Sequence, residues 1–383
     1  MVSHREEITR RIAKLRNSLA DRDLDAFVSV KLVNTYYLSG FTSLDTSRPT
    51  SYVRPVVVLI HSAGSSLIIP ELDAEAATHT SAIEDIRVYS AAPPSVVARQ
   101  LTVQWLSEVA VRRVGIEEDA MTAEWADYIR RSLPQVELVF AGDLVVDLRM
   151  HKDELELECM RTAAKLSDLA VAGSLSGSRP GGSEIGAETQ GILQLREGAA
   201  AYLHGSFIDS ISLILSGARA SMPHEFTTAR VIEEGDVAWH CWLVSYRGYW
   251  VENVRTSVAG RRRDFDRAFA ILLDSLLAGQ EMARPGIAAC DVYGAVMRVL
   301  KGNPVPGGVI LTRSGHGVGL EYHEPPFLED GDETPLDPGT VITVEPGIWM
   351  PGTGGLTLSN TLVISEKGSE VITQAPLALH YAV

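Results

Sequence analysis

Apolar residues recur at helical spacing from Glu6 to Ala20, where Ile8, Ile12, Leu15 and Leu19 share one face, and the spacing predicts an amphipathic helix. The run Ala26-Phe27-Val28-Ser29-Val30 that follows has the length and branched content of a strand. Further short strands are predicted at Val56 to Ile60, Ser66 to Ile69, Val114 to Ile116 and Glu137 to Phe140, with helices at Pro94 to Val109 and Thr122 to Ser132. This alternation predicts an α/β domain over residues 1–150.

The pattern changes near Asp147 to Asp153. A long amphipathic helix is expected from Glu154 to Leu175, ended by Ser-Gly-Ser-Arg-Pro-Gly-Gly, and the domain boundary is placed at its start. Residues 151–383 then read as a second domain. Helices are expected at Glu184 to Glu197, Asp264 to Ala283 and Cys290 to Leu300. Strands are expected at Ser210 to Leu215, Val237 to Val244, Gly248 to Val258, Val341 to Glu345 and Thr357 to Ile364. No tandem repeat or low-complexity segment interrupts them.

Composition narrows the function. The chain has 383 residues, so roughly 150 residues per domain allows two or three domains. With 45% hydrophobic and 22% charged residues it is neither disordered nor fibrous. There are 34 Lys+Arg against 49 Asp+Glu, a net charge of -15, which argues against nucleic acid or an anionic membrane surface as partner. The N-terminal residues carry mixed charge and no long apolar run, so a cytoplasmic protein acting on a small molecule is expected. Cys159, Cys241 and Cys290 lack CxxC spacing, so neither a disulfide framework nor a zinc knuckle is indicated.

The densest polar signal is Ser314-Gly315-His316-Gly317-Val318-Gly319-Leu320, followed by Tyr322-His323-Glu324-Pro325-Pro326. Glycines beside a histidine let another backbone or a ligand come close, and His323 could move protons over the same pocket. In Val341-Ile342-Thr343-Val344-Glu345-Pro346-Gly347 an acid ends an apolar strand, where an unpaired charge is costly. Upstream, Ser216-Gly217-Ala218-Arg219-Ala220-Ser221-Met222-Pro223-His224 leads into a strand. The stretch Gly248-Tyr249-Trp250-Val251-Glu252-Asn253-Val254-Arg255-Thr256 follows it.

In these four ordered blocks the chain resembles the pita-bread hydrolases: aminopeptidase P, prolidase, methionine aminopeptidase and the metal-free creatinase. The first part, including Asn34-Thr35-Tyr36-Tyr37-Leu38-Ser39-Gly40-Phe41, is similar to a creatinase-type N-terminal domain. The resemblance therefore implies an α/β N-terminal domain plus an α+β pita-bread catalytic domain. It also implies two divalent ions held by two aspartates, one histidine and two glutamates. Carried onto this chain, that set is broken. Cys241 stands at the first aspartate and Glu252 at the second, His316 and Glu345 match, and Ser359 stands at the last glutamate.

With so few carboxylates no metal pair is expected, although a single zinc ion on Cys241, His316 and a carboxylate is chemically acceptable. The resemblance to creatinase implies His224 as general acid and base, with Glu252 and Glu345 binding substrate or supplying a nucleophile, and His323 polarising a carbonyl. Water, Glu252 and Cys241 all stay open as nucleophile. Cys241 and Ser359 would line the substrate position. Arg48, Tyr52 and Arg54 lie where the family's homodimers send residues into the partner's site, which would favour a substrate carboxylate. Aromatic residues (Trp239, Trp242, Tyr246, Trp250, Tyr322, Phe327, Trp349) hint at a compact apolar or cationic ligand. The reading is a metal-independent, creatinase-like hydrolase of a C–N bond in a small amide, amidine or cyclic amidine. A metal-dependent Xaa-Pro peptidase and a catalytically inactive binding member are the alternatives.

Overall fold

The computed structural model describes residues 4–43, 54–90, 93–203, 206–261 and 263–383. The chain divides into two compact units, Met1–Arg149 and Met150–Val383.

In the first unit α1 (His4–Asp21) buries Ile8, Ile12, Leu15 and Leu19, the face that the periodicity marks. Strand β1 (Ala26–Ser29) is buried at every position, which is why its sequence is continuously apolar and does not alternate. A helix the periodicity did not mark, α2 (Leu32–Ser39), follows and ends at Gly40, whose φ of 75° is left-handed. It is held from within. Asn34 donates to Glu117 and accepts from Arg149, and Glu117 also accepts from Ser29 and the Val30 and Lys31 amides. Burial pushes the Glu117 carboxyl up, and these hydrogen bonds oppose the shift.

The remaining elements of this unit are β2 (Val57–His61), β3 (Gly64–Pro70), α3 (Ala74–Thr80), β4 (Asp85–Tyr89), α4 (Pro94–Glu108), β5 (Arg113–Ile116), α5 (Ala123–Ser132), β6 (Glu137–Phe140) and α6 (Asp143–Met150). They build one mixed sheet in the order β4-β3-β2-β1-β5-β6. Ala26, Val28, Val57 and Leu59 of the sheet pack with Trp105 and Leu106 of α4 and Trp125 and Ile129 of α5. Each fully buried aliphatic side chain there contributes roughly 1.5–3 kcal/mol. The short elements α3 and β4 escaped sequence reading because neither is long enough to show a period.

The second unit opens with α7 (Glu154–Gly177), started by a reciprocal cap: the Asp153 side chain accepts from the Glu156 amide and the Glu156 side chain accepts from the Asp153 amide, both at 2.9 Å. Then come α8 (Glu184–Ala199), β7 (Ile208–Ser216), β8 (Val237–Tyr246), β9 (Tyr249–Ala259), α9 (Asp266–Met282) and α10 (Ala289–Gly302). The last part holds β10 (Arg313–Gly317), β11 (Glu324–Glu329), β12 (Val341–Val344), β13 (Gly347–Met350), β14 (Gly354–Thr357), β15 (Asn360–Ser365), β16 (Gly368–Val371) and β17 (His380–Ala382).

Two main sheets result, β17-β9-β8-β7 and β11-β10-β12-β15-β16, with the hairpin β13-β14 beside them. Alternation along β8 assigns its faces. Trp242 and Val244 face a core made with Leu166, Ala170 and Val171 of α7 and Ala187 and Leu195 of α8. Trp239, Cys241 and Leu243 face the opposite core with Ile342, Val344 and Leu362 of the second sheet. The predicted strand Thr357 to Ile364 is broken at Leu358 and Ser359. There the Ser359 amide donates to Val254 and the Val254 amide to Ser359, so the chain leaves its own sheet to touch β9. Strand β11 contains Pro325 and Pro326, which an edge strand tolerates.

Candidate active site

Strand registry brings the five broken-set positions together between the two sheets of the second unit. Cys241 pairs with Val254 and Leu243 with Glu252, so Cys241 and Glu252 lie on one face of β8 and β9. Opposite them, Gly315 pairs with Val344 and Val344 with Asn360, which sets His316, Glu345 and Ser359 side by side. The Glu345 amide donates to the Ser314 carbonyl at 2.8 Å, continuing the ladder past the end of β12.

His316 Nε2 is 3.4 Å from Glu252 Oε2 and 3.8 Å from Glu345 Oε1. His316 Nδ1 lies 3.0 Å from the Gly317 carbonyl, which can only accept, so Nδ1 carries the proton in the neutral ring and Nε2 presents its lone pair. Glu252 Oε1, His316 Nε2 and Ser359 Oγ are buried and lack a hydrogen-bond partner. Such atoms are costly unless a ligand satisfies them.

The two carboxyls behave as a pair. Burial, and then the negative charge of Glu252, hold Glu345 well above the usual carboxylate range. Burial alone would raise Glu252 as well, but the neighbouring Glu345, His316 and Ser359 bring it down to about 2. One proton is therefore shared, and it resides on Glu345. Burial, followed by the charges of Glu252 and Glu345, raises the Cys241 thiol far above its ordinary value, so it stays protonated and is a poor nucleophile. His240 cannot activate it, since its Nε2 pairs with Ser257 Oγ at 2.9 Å on the other face of β8.

His323 sits on the exposed turn before β11, its ring edge-to-face with His316 at 4.0 Å between centroids. Partial burial and the charge of His316 push it down to about 4. His224 lies on an exposed turn ahead of β8, near enough to influence His323 electrostatically. Arg54 is exposed ahead of β2 in the first unit, while Arg48 and Tyr52 lie outside the described residues. Of the aromatic residues, Trp250 and Tyr322 meet edge-to-face at 6.0 Å, and Tyr322 stands beside His323. Trp239 and Trp349 pack on each other in the core, and Trp242 faces α7 and α8.

Three structural residues had no distinct signal in the sequence. Lys152 and Glu324 form a buried ion pair at 2.7 Å that anchors the turn carrying His323. Arg255, a buried residue of β9, donates to the carbonyls of Val254, Ser359, Ala375 and Pro376 and to Asn360 Oδ1. It thereby fixes the backbone of Ser359. The glycines around His316 make room for neighbouring backbone. A Cβ on Gly315, whose φ is 154°, would stand 2.0 Å from the Thr343 carbonyl, and one on Gly317 2.3 Å from that of Pro325. Gly315→Ala is thus expected to part β10 from β12 and to cost at least about 1–3 kcal/mol, read as a lowered thermal midpoint. An unchanged midpoint would contradict this packing.

Residues 158–366 match the model of metallopeptidase family M24, and residues 11–151 match the creatinase/prolidase N-terminal domain. The chain belongs to metallopeptidase family M24 and is a hydrolase of that family, with a creatinase/prolidase N-terminal α/β domain ahead of a pita-bread catalytic domain. It is 27% identical over 367 residues to the Xaa-Pro dipeptidase of Pyrococcus furiosus, covering 95% of this chain and 97% of that one. It is 27% identical over 391 residues to the creatinase of a Bacillus species, covering 97% and 92%. The solved Xaa-Pro dipeptidase from Bacillus anthracis superposes with a TM-score of 0.86 at 25% identity, covering 98% of this chain and 99% of that one.

The paired metal centre that the resemblance implies does not fit these residues. A neutral thiol and a hydroxyl occupy two of its carboxylate positions, leaving too little negative charge for two adjacent dications. Full metal independence gains no support either, because ligand atoms of Glu252, His316 and His323 converge within 4.8 Å. No helix among the described residues is long and apolar enough to cross a membrane.

Proposed function

We propose that this chain hydrolyses the C–N bond of a small amide or amidine, with the Glu252–Glu345 pair working in place of a dinuclear centre. The observation that supports this most is the geometry: the buried Glu252 carboxyl and the partly exposed Glu345 carboxyl flank the same imidazole at 3.4 and 3.8 Å, one pushed down and the other up. That is an adjacent base and acid, the asymmetry acid–base hydrolysis needs. Glu252 takes a proton from water as the water oxygen bonds to the substrate carbon. The C–N bond then breaks as Glu345 gives its proton to the departing nitrogen. The pair holds one proton before and after, so the cycle closes. Ser359 Oγ and His316 Nε2 are placed to hydrogen-bond the substrate, and His323 and His224 bind and exchange protons at the rim.

A second reading, cleavage of Xaa-Pro dipeptides, is supported by the full-length similarity to the Pyrococcus furiosus Xaa-Pro dipeptidase. A panel of Xaa-Pro dipeptides, creatine and cyclic amidines, assayed by release of amine, distinguishes the two. Turnover of a non-peptide member supports the first reading, turnover of dipeptides alone the second, and silence across the panel removes both. On the active substrate His224→Ala is expected to slow turnover at least about a hundredfold with an unchanged thermal midpoint, because an exposed turn residue fills no core volume. Full activity in that variant would take His224 out of the mechanism.

A further inference from the structure

We infer that Thr361 is a positioning residue for the proposed hydrolysis: its hydroxyl clamps the main chain of Glu252 and so sets the reach of that carboxylate to His316. The inference rests on the proposed role of Glu252 and adds a residue that acts only through it.

The need for a clamp arises at the edge of β9. Glu252 stands opposite Leu243 of β8, and its amide and carbonyl turn away from that strand, since both are met by Thr361 from the other side. On that side a neighbouring strand runs only along Ser257 to Ala259, where β17 pairs. Nearer the site the outward amides of β9 find partners one at a time. The Trp250 amide donates to the Gly319 carbonyl at 2.7 Å, and the Val254 amide to the Ser359 carbonyl at 3.3 Å. Between these two rungs the partner of Glu252 is a side chain. Thr361 Oγ1 accepts from the Glu252 amide at 3.0 Å and donates to the Glu252 carbonyl at 2.8 Å. One hydroxyl thus supplies both hydrogen bonds that a residue of an adjacent strand would supply.

The clamp is itself firmly mounted. Thr361 is fully buried, its amide donates to Thr373 Oγ1 at 3.0 Å, and its carbonyl accepts from the Ile372 amide at 3.0 Å. A β-branched side chain is also stiff at its first torsion, which keeps the hydroxyl aimed. In the second sheet Thr361 pairs with Thr343, and Thr343 pairs with His316, so hydroxyl and imidazole belong to one cross-strand row. That row meets Glu252 at two points. Thr361 holds its main chain, and His316 Nε2 lies 3.4 Å from its carboxylate.

Without the hydroxyl, a buried amide and a buried carbonyl lose their partner at the residue that carries the base, and the strand edge shifts to satisfy them. A misplacement of about 1 Å at a reacting group costs on the order of a hundredfold in rate. The loss falls on the chemical step, because Thr361 offers nothing to the substrate itself.

The test uses the full chain with Thr361→Val, which keeps the shape and removes the hydroxyl, and Thr361→Ser, which keeps the hydroxyl. On the substrate that the panel identifies, kcat is expected to fall at least about tenfold in Thr361→Val with KM within about threefold of the parent, and Thr361→Ser to recover to within about threefold. Hydrogen exchange at the Glu252 amide is expected to be at least about tenfold faster in Thr361→Val, with the Trp250 and Val254 amides as in the parent. If Thr361→Val does not fold, Thr361→Ala replaces it in the comparison with serine. Parental exchange at Glu252 or parental kcat in the variant without a hydroxyl would overturn the assignment, as would a serine variant no better than it. Faster exchange along the whole of β9 would make Thr361 a structural residue only. Exchange is read without substrate, so a silent panel removes the hydrolysis reading while the clamp is still judged.

Discussion

Glu345→Gln is expected to yield a chain that resists denaturation better than the parent at mildly alkaline pH, yet turns over about 10²–10⁴-fold more slowly. The stability half follows from the shared proton. A carboxyl whose folded value is raised stabilises the fold fully below its unfolded value, and that contribution is lost as pH rises through the folded value. Glu345 is such a group, because burial and then the charge of Glu252 hold its proton on. Above neutrality the parent comes under growing pressure to place two carboxylates side by side, while glutamine keeps the shape of the protonated acid and never ionises.

Glu252 works in the opposite direction. Its value is lowered to about 2, so its contribution is present above the unfolded carboxylate range and is lost only as pH falls through that lowered value. Denaturant midpoints of chelator-treated protein across pH should therefore show the alkaline decline of the parent flattened in Glu345→Gln. The activity half follows because an amide cannot hand a proton to the departing nitrogen. A variant with parental turnover, or with an unaltered alkaline decline, would dissolve the carboxyl pair as the working unit.

Lys152→Met is expected to cost about 3–5 kcal/mol of stability, because it leaves the Glu324 carboxylate buried without its partner. The side chains of Lys152 and Glu324 are 1% and 5% exposed and meet at 2.7 Å. Removing both charges at once should be far milder. Lys152→Met combined with Glu324→Leu is expected to recover most of the loss, since no uncompensated charge remains. Urea unfolding of the four proteins of this cycle measures the coupling directly. If the double variant is as unstable as Lys152→Met alone, the pair owes its effect to shape and not to charge. Glu324 neighbours His323, so the stabilised double variant also shows whether the anchored turn matters to turnover.

Much of this architecture was legible before any coordinates. The long elements announced themselves by pattern: the apolar face of α1, the amphipathic stretch of α7, and the continuous runs of β8 and β9. The convergence of Cys241, Glu252, His316, Glu345 and Ser359 was implied by the resemblance to the pita-bread hydrolases, not by period, and the alternation along β8 and β9 agrees with it. Other features had no local signature. Lys152 and Glu324 are separated by 172 positions, and nothing near either residue foretells the other. Arg255 was only one member of the quoted stretch around Glu252, but its five acceptors come from segments more than a hundred residues further on as well as from its own strand. The break at Ser359 was hidden because an apolar run reads as one strand whether or not its backbone changes partners midway.

The Arg255 tether bears on how this chain is made. Its guanidinium is satisfied by Ala375 and Pro376, and β17 then lays residues 380–382 parallel along β9. A polypeptide emerging from a ribosome can complete its first unit early, as N-terminal domains commonly do. The backbone beneath Ser359, by contrast, gains the last of the Arg255 contacts that fix it only once residues 375 and 376 have been made. Until then the buried cation keeps only its earlier acceptors, Val254, Ser359 and Asn360, and the floor of the cleft is held by part of its tether.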